Sequence, residues 1–151
     1  MELTSKEIEE IYRNKITLFR ELRDCIALER ENLINLDISN LWAVMEEKEK
    51  LLASIDEARN RLKGIVEEDD PYRHIPEKDR SRMTAHFQTL AALKEEIKTR
   101  VRENVSFVTE TLDFFHELIA VMTMGDRSGE SYGPQKSGLK EKRNLFYSNE
   151  V

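Results

Sequence analysis

Apolar residues return every seven positions near the start of the chain, at Tyr12, Phe19, Ile26 and Leu33. Ile8, Ile11, Leu18, Leu22, Cys25 and Leu36 flank the same face, and no Gly or Pro interrupts the run. A stripe with this period predicts one amphipathic helix over about 5–36. Thr4 and Ser5 are the candidate N-caps, and Glu7 stands three residues after Thr4, as a capping box requires.

The phase of the stripe changes at Leu36-Asp37-Ile38-Ser39-Asn40, where Asp37 and Ser39 are both good caps for a new helix. A second stripe then runs through Leu41, Val44, Met45, Leu51, Leu52, Ile55, Ala58, Leu62 and Ile65, predicting a helix over about 38–66. So short a link predicts an antiparallel hairpin. The alternative is a single bent helix. Trp42 is expected to pack near this turn, with a binding hot spot as its other reading.

Like charges and two prolines, from Glu67 to Pro76, then break the helical pattern, because proline drives the residue before it out of helical geometry. A third stripe follows at Phe87, Leu90, Ile97, Val101, Val108, Leu112, Phe115, Leu118, Ile119 and Met122, predicting a helix over about 77–124. At 1.5 Å per residue such a helix spans roughly 70 Å. Its stripe needs cover from a folded-back arm or from a second chain, which leaves self-association open. Asn104 interrupts the stripe, and a polar residue in a seam can fix register or oligomer state. The expected fold is therefore all-α, an elongated antiparallel bundle or coiled coil of three long helices. The domain plan is a helical bundle over 1–124 and a flexible C-terminal tail over 125–151.

Composition sharpens this picture. Charged residues make up 36% of the chain and apolar ones 39%, a mixture better suited to narrow helical seams than to a globular core. Four of the 5 Gly fall between Gly125 and Gly138, so the polar stretch after Met124 reads as flexible chain. Within it, Leu139 and Phe146 lie seven apart with Lys140, Lys142 and Arg143 between them, a segment too short to be a helix alone but able to fold on a partner. A net charge of −6 disfavours nucleic acid as a ligand. The opening residues lack the basic start and apolar run of a secretory signal, and no stretch is long and apolar enough for stable membrane insertion. Together with a lone Cys25, which cannot form an internal disulfide, these features point to a cytoplasmic protein.

Candidate chemistry is sparse. His86 and His116 stand thirty residues apart on one predicted helix and cannot share a ligand. Asp113 and His116 face alike but lack the paired Glu-x-x-His motifs of a di-metal bundle, and Glu67 to Asp70 lack the glycine and spacing of a calcium loop. No phosphate-binding glycine loop or nucleophile motif is present. Cys25 reads as a small buried thiol. The expectation is a protein-binding module with no enzymatic activity, no catalytic residue, no metal and no cofactor.

Several of these residues form a pattern with a family resemblance. Glu29-x-x-x-Leu33-x-x-x-Asp37-x-x-x-Leu41, then Lys48-x-x-Leu51-Leu52 and Arg59, resembles the flagellar export chaperones of the FlgN type. So does Asn104 followed by an apolar run, with Ser131-Tyr132-Gly133-Pro134 beyond the helix. The resemblance implies a cytoplasmic chaperone of flagellar type III export. Its substrates would be the hook-associated junction proteins FlgK and FlgL, kept unassembled and delivered to the export gate. It makes Tyr132 and Gly133 candidates for contact with the cytoplasmic domain of that gate, and Leu139, Leu145 and Phe146 candidate substrate anchors. A chaperone for another flagellar substrate, such as the filament cap, and a structural coiled-coil scaffold are the competing readings.

Overall fold

The computed structural model describes residues 3–63 and 70–124. Three helices follow in order: α1, Ser5–Asn35; α2, Ile38–Leu62; and α3, Glu77–Thr123. The all-helical expectation holds, with each helix ending a few residues from its predicted limit. Ile65 and Val66, expected at the end of α2, lie outside the described residues, as does the whole segment 125–151. The chain divides into two compact units, Met1–Val101 and Arg102–Val151.

In the first unit, α1 starts at the predicted capping box. The Thr4 hydroxyl accepts from the Glu7 amide at 3.2 Å, and the Glu7 carboxylate accepts from the Thr4 amide at 2.7 Å. These bonds satisfy two backbone donors that a helix start otherwise leaves unpaired. Asp37 caps α2, its carboxylate accepting from the Asn40 amide.

Helix α1 ends in a Schellman arrangement. The Asp37 amide donates to the Asn32 carbonyl at 2.9 Å and the Leu36 amide to the Leu33 carbonyl at 3.3 Å. The residue that turns the chain is Leu36, at φ 54° and ψ 36° in the left-handed region where glycine is the usual occupant. Leu36 had been expected on the buried stripe of α1. It is exposed instead, because the left-handed turn carries its side chain off the helix face.

The turn makes α1 and α2 antiparallel. Near the turn the Cys25 thiol donates to the Val44 carbonyl at 3.4 Å, while at the far end Glu7 feels the charge of Arg61. Ile8, Ile11, Phe19, Leu22 and Ile26 of α1 share a core with Leu51, Ile55, Ala58 and Leu62 of α2. Inside this interface Lys48 Nζ donates to Glu29 Oε2 at 2.5 Å, with both side chains buried.

The opening turns of α3 run alongside α1 in the same direction. Glu9 meets Arg82 and Arg23 meets Glu96, so both chains ascend together. Met83, Leu90, Leu93 and Ile97 complete the core from this side. Tyr12 and Phe87 rings meet edge to face at 4.9 Å. Before α3, Ile75 is buried, and Tyr72 lies against Phe87 with its hydroxyl 2.6 Å from that of Thr84, pinning the segment between the two prolines.

Two stability effects follow. Leu36→Gly relieves the left-handed strain at an exposed position and is expected to stabilise the protein by about 1 kcal/mol in urea unfolding. Glu29→Ala removes the carboxylate to which the buried Lys48 ammonium donates and is expected to cost about 3–5 kcal/mol. Replacing Glu29 and Lys48 together by Met removes both charges and is expected to cost far less, a difference that urea unfolding of the two variants reads directly.

Candidate functional site

Large apolar side chains left open to solvent are the notable surface feature of both units. In the first unit they gather at the α1–α2 turn, at Ile34, Leu36, Ile38 and Trp42. Trp42 was expected to pack at this turn, but it is 65% exposed. The reason lies in the helix period. Trp42 stands two residues before the buried Val44, about 160° around α2 from it, and so faces outward.

In the second unit the open residues belong to α3. Asn104, Phe115 and Met122 lie almost on one line along the helix, and their exposure climbs from 1% through 44% to 74%. Phe114, Leu118, Ile119 and Val121 are exposed beside them. At 100° per residue, Val121, Phe114, Leu118, Met122, Phe115 and Ile119 fall within an arc of roughly 160°. Phe114 and Phe115 stack edge to face at 6.0 Å. The polar residues Asp113, His116 and Glu117 sit on the other side of the helix. The stripe expected as a covered seam is thus open at this end of α3. Such a surface binds by burying apolar area against a complementary surface, the ordinary meaning of a contiguous apolar patch.

The titratable groups do structural work. Glu9 accepts two hydrogen bonds from Arg82, at 2.7 and 2.9 Å, and one from Arg13 at 3.0 Å, with His86 Nε2 at 3.3 Å. The bonds from Arg82 chiefly hold the Glu9 carboxyl below its usual range. His86 is therefore part of an ion-pair cluster, and His116 sits well along α3 from it. Cys25 is a buried thiol, as the sequence suggested, and burial pushes its pKa up, with the Glu29 charge adding to the effect. Among the described residues, no three His, Cys, Asp or Glu side chains gather in a way that could hold a metal ion. Asp70 accepts from the Tyr72 amide, and the rest of the acidic run, Glu67 to Asp69, lies outside the described residues.

Lys15 is the exception to good pairing. It is buried on α1 beside the Tyr12 ring, and burial together with the charges of Lys94 and Arg59 brings its pKa down to about 8. Sequence reasoning missed it, because a lysine next to an apolar stripe usually extends its ammonium into water.

Of the site residues expected from the sequence, Asn104 is buried in α3. Tyr132, Gly133, Leu139, Leu145 and Phe146 all lie outside the described residues. Among the described residues no helix is long and apolar enough to cross a membrane.

Three helices with narrow seams, well-paired charges and open apolar faces define a helical protein-binding module. A family model described as FlgN protein matches residues 1–138, and the chain belongs to the FlgN family, which is a family of flagellar export chaperones and not of enzymes. No curated protein and no solved structure matches the chain significantly.

The lowered pKa of Lys15 sets a pH dependence. Between about 8 and the unfolded lysine value near 10.4, the unfolded chain holds the proton that the folded chain has lost, so this residue's penalty fades as pH rises. Lys15→Met is expected to stabilise the protein at pH 7 by on the order of 1–3 kcal/mol. In urea titrations its advantage over the parent should shrink steadily as pH rises from 8 to 10.

Proposed function

We propose that this FlgN-family chaperone binds the hook–filament junction proteins FlgK and FlgL in the cytoplasm. It keeps them unassembled and delivers them to the cytoplasmic domain of the flagellar export gate. The observation that carries this reading is the apolar arc of α3 from Phe114 to Met122. An arc of this width fits the apolar face of one amphipathic helix, the kind of segment by which coiled-coil subunits assemble. Occupying that segment would block its assembly with other subunits.

The tail supplies the remaining parts. Leu139, Leu145 and Phe146 act as substrate anchors that order on binding, which costs affinity and so favours release. Tyr132 and Gly133 contact the gate. Asn104, the buried polar residue in the α3 stripe, holds the register of the helix that presents the arc.

Calorimetric titration of the full-length chain with purified FlgK, FlgL and the filament-cap protein tests the assignment. FlgK or FlgL is expected to bind, and Leu118→Asp, a charge at the centre of the arc, to weaken binding by roughly 30-fold or more. A truncation ending at Gly125 is expected to lose a further share, and Tyr132→Ala to weaken gate binding while leaving substrate binding intact. Preference for the cap protein moves the chain to a sister role. Binding to none of the three, with self-association retained, leaves a scaffold.

A further inference from the structure

The α1–α2 hairpin carries a second surface, which shares no residue with the apolar arc of α3. An open groove of about 580 Å³ runs between the two helices. On α1 it is lined at Glu21, Asp24, Cys25, Leu28 and Asn32, and on α2 at Asn40, Ala43, Val44, Glu47 and Leu51. Apart from the adjacent pairs Asp24–Cys25 and Ala43–Val44, both sets follow steps of three and four, so each is one continuous helical stripe. The α1 stripe stands about half a turn around the helix from Tyr12 and Arg23, which face α3.

Three properties define what fits there. The floor is apolar, formed by Cys25, Val44 and Leu51, with Leu28 half open above it. The rim is acidic: Glu21, Asp24 and Glu47 line it, and no lysine or arginine does. Asp24 also takes a 3.3 Å contact from Arg23 on its own helix, leaving Glu21 and Glu47 to dominate the rim charge. The third property is a polar end, where Asn32 and Asn40 line the groove.

We propose that this groove docks a basic amphipathic helix of a separate protein. Its apolar stripe lies over Leu28 and Val44, and its lysines or arginines face Glu21, Asp24 and Glu47. The last turn of a helix favours cations, so its C-terminal end sets lysines or arginines against the acidic rim. The acidic rim also selects against an acidic helix of the same shape, because like charges brought together across a groove repel.

The test uses the full-length protein and a fluorescein-labelled peptide helix of about 18 residues, long enough to span the groove. Its leucine stripe is flanked by lysines, and a twin carries glutamates in their place. Fluorescence anisotropy is expected to show the lysine peptide binding at least about tenfold tighter than its twin, with an advantage that salt reduces. Leu28→Asp, and separately Glu21→Lys combined with Glu47→Lys, are each expected to lose about tenfold. Leu118→Asp on α3 is expected to change nothing, which separates this site from the export-substrate surface. Leu28 is already half open, so circular dichroism should find the Leu28→Asp protein folded. Equal binding of both peptides overturns the proposal, as does binding that Leu118→Asp abolishes and Leu28→Asp spares. A dimer that sedimentation detects and Leu28→Asp dissolves assigns the groove to a second copy, and overturns it too.

Discussion

The buried pair between Glu29 and Lys48 fixes how the hairpin is assembled. Apolar stripes on two helices can slide past one another by a turn and still bury leucine against isoleucine. Two charges taken out of water cannot slide. Moving either one by a turn breaks this pair inside a low-dielectric interface, where desolvation costs several kcal/mol per ion. The pair therefore selects one alignment of α1 with α2 from several that the stripes alone would tolerate. That alignment sets Cys25 against Val44, closes the floor of the groove and builds the side of α1 on which Tyr12 and Glu9 receive the opening turns of α3.

Much of the fold was legible because its signals are local. The Thr4–Glu7 capping box, the Asp37 cap and the two prolines before Glu77 act within a few residues of themselves, and each appears where the sequence put it. What was not legible depends on meetings between helices or on turn geometry. Glu29 and Lys48 both stood in the quoted pattern, yet nothing in either helix says which turn of one faces which turn of the other. Leu36 hides a left-handed turn because the usual signature, a glycine or asparagine, is absent. Trp42 is a different case. Its angular distance from Val44 follows from the period alone and puts it on the outer face of α2.

The candidate surfaces were legible only in part for a related reason. Periodicity states which residues share a face, and it placed Phe115, Leu118, Ile119 and Met122 on one stripe. It does not state whether anything covers that face. Asn104 and Met122 are nearly in line on α3, yet one is buried and the other open. Only a structure distinguishes them. The α1–α2 groove was harder still, since it consists of two unremarkable stripes whose significance appears when they lie side by side under an acidic rim.

This arrangement keeps the packing of the fold apart from the open apolar arc of the second unit. The core of the first unit rests on tightly packed Ile, Leu and aromatic residues together with the fully enclosed Glu29–Lys48 pair. The binding arc of the second unit contributes no comparable packing at Phe114 to Met122, where side chains remain open. Leu118 is 42% exposed in the free chain, so a charge there can still reach solvent. Substitutions there alter the match to a partner helix, while the hairpin that carries the fold's register stays untouched.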